Sequence, residues 1–286
     1  MIKDKVLNDN YASLKYINSK FMELINTKNT LCNCDLITIK KITKVAMNIE
    51  KEHPEIMDHL IDKIISFNNE GLVMIERNYK TYSYTDKNLR TIEAHLHGHN
   101  ATLLYKLSKS TNNIEETKEF LEDTVNSEIK AAKISECLFA EYQQIEFKEY
   151  SAVHYKLAAS RANKLITKYA EEGKKRKLEF VKKAYGLLKK SVDMNIARTY
   201  EQEIMDEHLA MILSIKLHEI KRDNNSKNKI IRHAQNVIDK EKLVYNYSPD
   251  DVELKRRIKR AQDNKAKYIK KKKTFYKKGE KLRIRR

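Results

Sequence analysis

The sequence is poor in glycine and proline, with 5 Gly and 2 Pro among 286 residues. Tight turns depend on these two residues, so folds with many turns are excluded, including β-sandwiches, β-barrels and nucleotide-binding α/β sheets. No two glycines lie within ten residues of each other, which excludes the glycine-rich phosphate loops of Rossmann and P-loop proteins. The composition therefore predicts an all-α protein.

Long apolar runs, cysteine pairs and a signal sequence are also missing. The longest apolar segment, residues 209–213, is far shorter than the roughly 18 residues that a membrane span needs. Three cysteines are too few for a disulfide framework, and the charged N-terminus has no apolar signal core. We therefore expect a cytoplasmic protein with no transmembrane segment.

Basic residues are abundant, and they are unevenly distributed along the chain. The formal net charge is +18, from 58 Lys and Arg against 40 Asp and Glu. Residues 255–286 hold 17 of the basic residues and only two acids, a charge of +15, which leaves +3 for residues 1–254. The basic character thus belongs to the C-terminal segment, for which nucleic acid, acidic protein and acidic membrane are the candidate partners.

A helix-start signal precedes this basic segment. Ser248 suits a cap, Pro249 suits the first helical position, and two acids follow. An apolar stripe that ends with Ala261 and Tyr268 predicts a helix over about 249–270 that docks by its first half, with fraying beyond it. The residues expected to bind nucleic acid or an acidic partner are Arg256, Arg257, Lys259, Arg260, Lys270, Lys271, Lys272, Lys273, Tyr276, Lys277, Lys278, Arg283, Arg285 and Arg286.

The remaining chain is interpreted as antiparallel helix pairs joined by short loops. Apolar residues recur with helical period from Pro54 onward, and breaks are expected at Gly71, near Asn112-Asn113, near Ser135 and at Gly173. This pattern divides the chain into an N-terminal helical segment (1–53), a helical-repeat domain (54–246) and a basic C-terminal helix and tail (247–286).

Helix starts about 33 residues apart suggest a repeated unit of two helices. Within residues 135–168, Leu138 and Tyr142 hold large positions of a first helix, and Ser151, Tyr155 and Ala158 hold small–aromatic–small positions of a second. This segment resembles a tetratricopeptide repeat, although the chain has no Trp. The resemblance implies a helical solenoid without catalytic activity, whose groove binds a peptide or partner helix through Tyr142, Tyr155, Leu138 and Ala158.

A second interpretation of residues 36–85 is a winged helix. It places helices at 36–49 and 54–67, followed by strands 72–76 and 79–85 paired about Arg77-Asn78. The β-favouring run from Tyr79 to Thr85 supports these strands, whereas the helical period through the same residues supports helix pairs.

Chemistry-bearing residues form no recognisable catalytic or metal motif. His95, His97 and His99 are interpreted as a surface or interface cluster, because no third ligand or catalytic glutamate accompanies them. Cys137 is interpreted as a core residue, and Asp206-Glu207 as solvated charges on a helix surface. We accordingly expect no enzymatic activity, no cofactor and no metal.

Three functions remain open at this stage. The first is a helical-repeat scaffold for protein–protein interaction whose polybasic tail binds acidic partners. The second is a nucleic-acid-binding or regulatory protein that uses the same tail, and the third is an enzyme with an unrecognised site between helices.

Overall fold

The protein is helical throughout the part that the structure describes. The computed structural model describes residues 61–81, 86–169, 173–197, 199–245 and 252–283. No strand occurs among these residues. In chain order the helices are α1 (Ile61–Thr81), α2 (Lys87–Ser110), α3 (Ile114–Tyr142), α4 (Ile145–Lys168), α5 (Lys174–Asp193), α6 (Tyr200–Lys221), α7 (Asn224–Tyr245) and α8 (Val252–Arg283). The predicted all-α fold, with consecutive helices packed on one another, is confirmed.

Side-chain caps define where several of the helices begin. The Asp86 carboxylate accepts hydrogen bonds from two backbone N–H groups of α2, and the Asn113 side chain accepts one from α3. Gly173, with φ of 81°, precedes α5 as the sequence predicts. Thr199 and Gln202 form a reciprocal capping box at the start of α6, which satisfies two backbone donors that a helix start leaves unpaired.

Two connections turn the chain without glycine. Only two residues separate α3 from α4, and two separate α6 from α7. Gln143 and Arg222 end their helices in the left-handed conformation, with φ of 55° and 54°. Glycine usually occupies this position because it has no Cβ to clash, so the chain tolerates local strain to keep its loops short.

The helices are longer than the sequence pattern indicates. Gly71 lies inside α1 and Ser135 inside α3, so the breaks predicted at these residues are absent. A glycine in a helix interior costs only about 1 kcal/mol, which the burial of neighbouring residues such as Ile64 and Ile75 outweighs. Because α1 is continuous from Ile61 to Thr81, the strand predicted at 72–76 is also wrong, and the winged-helix hairpin is excluded.

Contacts group the chain into two compact units, residues 1–161 (unit 1) and 162–286 (unit 2). The change from one unit to the other falls inside α4. Residues 1–60, which include the whole predicted N-terminal segment, lie outside the described residues, as does Pro54.

Unit 1 is built from alternating antiparallel and parallel helix contacts. Arg90 near the start of α2 pairs with Glu141 near the end of α3, so these helices run antiparallel. Ser151 of α4 donates to the Ala132 carbonyl of α3, and Tyr150 of α4 lies against Ala94 of α2. Tyr105 of α2 also contacts Arg161 of α4. Both contacts join residues 56 positions apart in the sequence, so α2 and α4 run parallel.

The observed helix lengths give a different explanation for the 33-residue spacing between predicted helix starts. The hairpin of α3 and α4 covers residues 114–168, which exceeds the roughly 34 residues of a tetratricopeptide unit. Successive helices begin at 87, 114, 145 and 174, so the spacing in the sequence separates single long helices rather than helix pairs.

Unit 2 contains the end of α4 and helices α5 to α8. Glu203 and Glu207 of α6 contact Lys240 and His233 of α7, which makes this pair antiparallel. The Lys216 ammonium of α6 donates to the Asn163 carbonyl of α4 over 2.8 Å. The core of this unit includes the fully buried residues Val181, Ala184, Leu213, Ile230, Val237 and Ala261.

Gly98 sets the distance between α2 and α4 in unit 1. A Cβ at this residue would lie 2.5 Å from the Tyr150 hydroxyl oxygen and 2.7 Å from Cε1 of His154. Tyr150 is itself packed between the rings of His95 and His154, at centroid distances of 5.1 and 4.2 Å. The absence of a side chain at Gly98 therefore permits this close approach.

We therefore predict opposite effects for two Gly→Ala substitutions in helix interiors. Gly98→Ala should lower the free energy of unfolding by about 1 kcal/mol, because overpacking of about 1–3 kcal/mol exceeds the gain in helix propensity. Gly186→Ala in α5 meets no atom within 4 Å and should raise it by about 0.5–1 kcal/mol. Urea unfolding of both variants tests this, and a Gly98→Ala protein as stable as the parent would contradict it.

Candidate functional site

The basic helix α8 docks on unit 2 through one side. Tyr268 is 2% exposed and packs with Met211 of α6 and with Ile230 and Ala234 of α7. Its ring also meets His218 edge to face, with centroids 5.4 Å apart and an interplanar angle of 84°. Ala261, two turns earlier, is buried against α7. Docking therefore includes Ala261 and continues to Tyr268, beyond the first half of the helix that the sequence predicted to dock.

Several cations lie on the solvent-exposed part of the same helix. Arg256, Lys259 and Arg260 are exposed, as is Lys267, while Arg257 is half-buried. Burial lowers the pKa of His208 in α6, and the positive charges of Arg257 and Arg260 lower it further. Arg257 and Arg260 therefore lie close enough to α6 for their charges to act on His208.

The net positive charge of the protein comes entirely from unit 2. Residues 162–286 contain 36 of the 58 Lys and Arg and 17 of the 40 Asp and Glu, a formal charge of +19. Residues 1–161 contain the remaining 22 basic and 23 acidic residues, a charge of −1. The helix α5 contributes to this difference, with eight basic residues against Glu179 and Asp193.

The remaining predicted tail residues continue along α8. The helix extends through Lys270–Lys273, Tyr276, Lys277 and Lys278 to Arg283, so the fraying predicted beyond residue 270 is wrong. Lysine has a high helix propensity, which favours continuation in spite of like charges. Arg285 and Arg286 lie outside the described residues.

The residues predicted to line a partner groove are mostly interior. Leu138 and Ala158 are fully buried, and Tyr155 is 1% exposed, with its hydroxyl donating to Glu136. Tyr142 is half-buried beneath the Lys87 ammonium, which lies 5.1 Å from its ring centroid. These side chains hold α3 and α4 together, so a partner has access only to part of Tyr142.

The three histidines of α2 do not form the predicted surface cluster. His95 is exposed, whereas His99 is buried and bonded to Asn68 of α1 over 3.1 Å. Burial, reinforced by Lys130, lowers the pKa of His97 to about 4, so this imidazole is neutral at physiological pH. Within the described residues, no group of three or more His, Cys, Asp or Glu is arranged to hold a metal ion.

Two single-residue interpretations are also corrected. Cys137 is exposed instead of buried. Asp206, interpreted as a solvated charge, is only 5% exposed. Its neighbour Glu207 is part-buried and hydrogen-bonded rather than solvated.

A chain of polar side chains in unit 2 was not predicted. The Tyr185 hydroxyl lies 2.9 Å from Nε2 of His233, and Nδ1 of His233 lies 2.7 Å from the Glu207 carboxylate. Asn236 donates to the other Glu207 oxygen over 3.0 Å. Burial alone would raise the pKa of Glu207, but the hydrogen bonds from His233 and Asn236 hold it below its usual value.

An ionised Glu207 fixes the direction of these hydrogen bonds. Because a carboxylate only accepts, Nδ1 of His233 carries a proton and donates it to Glu207, while Nε2 lies within hydrogen-bonding distance of the Tyr185 hydroxyl. Up to 48 residues separate the partners, and they belong to three helices, so helical periodicity along the sequence gives no sign of their contact.

No protein-family model matches the sequence, and no curated protein matches it. A de novo designed helical repeat protein is similar at a TM-score of 0.35 and 15% identity, over 78% of this chain and 99% of its own. A protein from the computational design of self-assembling cyclic homooligomers gives a TM-score of 0.33 and 13% identity, over 93% and 94%. The topology given above rests on the contacts of this chain and not on these likenesses. No helix in the described residues has the length and hydropathy of a membrane span.

Proposed function

We propose that the protein is a non-enzymatic helical scaffold that binds a nucleic-acid backbone on the exposed cationic surface of α8. One observation carries this proposal: Tyr268 anchors α8 in the core of unit 2 while Arg256, Lys259, Arg260 and Lys267 remain exposed. Cations on a helix of fixed position bind phosphates without the entropic cost of ordering a flexible tail.

The charge distribution favours nucleic acid over an acidic protein. Phosphates repeat regularly along a nucleic acid, and a helix with many cations and few acids matches such a uniform polyanion. Between residues 255 and 269, α8 carries a single acid, Asp263. The proposal does not use the tetratricopeptide resemblance, because three of its four groove residues are buried.

Neutralising three exposed cations tests the proposal without disturbing the docked side of α8. In the triple variant Lys259→Gln, Arg260→Gln, Lys267→Gln, the affinity for a short random-sequence DNA duplex should fall at least about tenfold at low salt. The slope of log K against log salt should also become shallower by roughly two to three, because fewer counterions are released. Fluorescence anisotropy at roughly 50 and 200 mM salt measures both quantities.

A matched control removes the same charge from unit 1. Lys109, Lys130 and Lys133 are exposed on α2 and α3, and replacing all three by Gln should leave affinity and salt slope almost unchanged. Equal losses in the two triple variants would show that only net charge matters and would contradict the proposal. Displacement of the duplex by poly-glutamate at equal charge concentration would instead assign α8 to an acidic protein partner.

A further inference from the structure

Unit 2 contains a cleft of about 490 Å³ lined by α5, α6, α7 and the α5–α6 connection. Part of its wall is apolar and is formed by Leu188, Val192 and Ile196. Ala210 of α6 lies on the same wall, and its small side chain leaves space there. The Tyr185–His233–Glu207 chain described above forms the polar part of the wall.

The acidic residues of this wall are already engaged or shielded. Glu203 forms an ion pair with Lys240, and Glu207 accepts hydrogen bonds from His233 and Asn236. Asp206 is 5% exposed, so it presents almost no carboxylate surface to the cleft. The carboxylates therefore leave little negative charge for a ligand to contact.

Three cations around Tyr185 are not neutralised by an ion pair with a carboxylate. Lys189 lies one turn beyond Tyr185 on α5, and both residues line the cleft. From α7, the Lys229 ammonium lies 4.9 Å from the Tyr185 ring centroid, and an Arg232 nitrogen lies 3.5 Å from Nε2 of His233. Among the described residues, none of these three cations has a carboxylate within ion-pair distance.

The hydrogen-bonded chain fixes the Tyr185 hydroxyl at this cationic end. The Tyr185 hydroxyl lies 2.9 Å from Nε2 of His233, and an Arg232 nitrogen lies 3.5 Å from the same ring atom. The exposed Arg232, which lines the cleft, therefore lies beside the phenol. A guanidinium keeps further N–H donors in the same plane, and these can bind the two oxygens of a carboxylate.

We propose that this cleft binds an amphipathic carboxylate, with its head group between Lys189 and Arg232 and its apolar body against Leu188, Val192 and Ile196. A carboxylate agrees with the charge balance better than a phosphate dianion does. By formal count the wall holds three cations (Lys189, Arg232 and Lys240) and three acids (Glu203, Asp206 and Glu207), although among the described residues only Lys240 of these cations is ion-paired, and the nearby Lys229 brings the net charge to +1. This site is separate in function from the polyanion surface of α8.

Calorimetric titration of the full chain with sodium octanoate tests the proposal. We expect saturable binding to the parent protein and binding weaker by at least about tenfold in Lys189→Gln, Arg232→Gln, since two charge-assisted contacts are lost. The control Lys175→Gln, Lys182→Gln removes the same charge at exposed positions of α5 that do not line the cleft, and it should bind like the parent. Octan-1-ol, which has the same chain without the carboxylate, should bind at least about tenfold more weakly than octanoate.

The α8 triple variant tests whether octanoate binding in the cleft is independent of DNA binding on α8. The Lys259→Gln, Arg260→Gln, Lys267→Gln protein should retain the parent affinity for octanoate even if it loses DNA. The proposal is overturned if octanoate does not saturate the parent protein, if octan-1-ol binds equally well, or if the α5 control loses as much affinity as Lys189→Gln, Arg232→Gln.

Discussion

Glu128→Ala is expected to lower the free energy of unfolding by about 2–4 kcal/mol, because it removes the hydrogen-bond partner of a buried imidazole and leaves a cavity. Glu128 is 1% exposed on α3, and its carboxylate pairs with Nδ1 of His154 on α4. His154 is itself buried, so removal of the carboxylate leaves the imidazole without its partner and opens a cavity beside it.

The Arg161 guanidinium is also affected by this carboxylate. Burial lowers the pKa of Arg161, and the negative charge of Glu128 partly opposes this shift. The Arg161 guanidinium carbon lies 3.2 Å from the centroid of the Tyr105 ring on α2. Loss of Glu128 therefore weakens contacts among α2, α3 and α4 in unit 1.

Urea unfolding measures this effect, and the exposed Glu119 of the same helix provides the control. Glu119→Ala removes the same side chain at a solvent-exposed position, where substitutions usually change stability by less than about 0.5 kcal/mol. The double variant Glu128→Ala, His154→Ala should be less destabilised than the sum of the two single variants, since each removes the same pair. A Glu128→Ala protein as stable as Glu119→Ala would refute this account of the pair.

The helices of this protein could be located from its sequence because apolar residues and caps are local signals. Asp86, Asn113 and Gly173 lie at helix starts, as their preferences predict. Tyr268 could also be predicted as a docking residue, because it continues the apolar stripe of Ala261 in a segment that is otherwise highly charged.

Helix lengths and contacts between helices were harder to predict. Gly71 and Ser135 are weak helix formers, but burial of the residues around them keeps α1 and α3 continuous. The spacing of about 33 residues between predicted helix starts suggested a repeated pair of short helices. Because the helices are long, this spacing instead separates one helix from the next. The pairs Glu128–His154 and Glu207–His233 join residues 26 positions apart, and such contacts depend on three-dimensional packing that periodicity does not contain.

Tyr268→Ala is expected to lower the free energy of unfolding by about 3–5 kcal/mol, the usual cost of truncating a large buried aromatic residue. The ring fills the space between α6 and α7 beside Met211 and Ile230, and no other aromatic side chain of α8 before residue 270 can replace it. The neighbouring Ile269 is 36% exposed, so Ile269→Ala is the control and should cost much less. Urea unfolding gives the stability, and limited trypsin digestion reports whether the Lys and Arg bonds of α8 become accessible.

The same variant tests whether the proposed binding of nucleic acid depends on the fixed position of the cations or only on how many there are. Tyr268→Ala keeps every charge of α8, whereas Lys259→Gln, Arg260→Gln, Lys267→Gln keeps the docked ring. If a fixed helix matters, Tyr268→Ala should bind the duplex several-fold more weakly, because α8 must be ordered on binding, and its salt slope should stay close to that of the parent. Unchanged affinity in a variant whose α8 is rapidly cleaved would show that a flexible polycation suffices, and the docked helix would then have no part in binding.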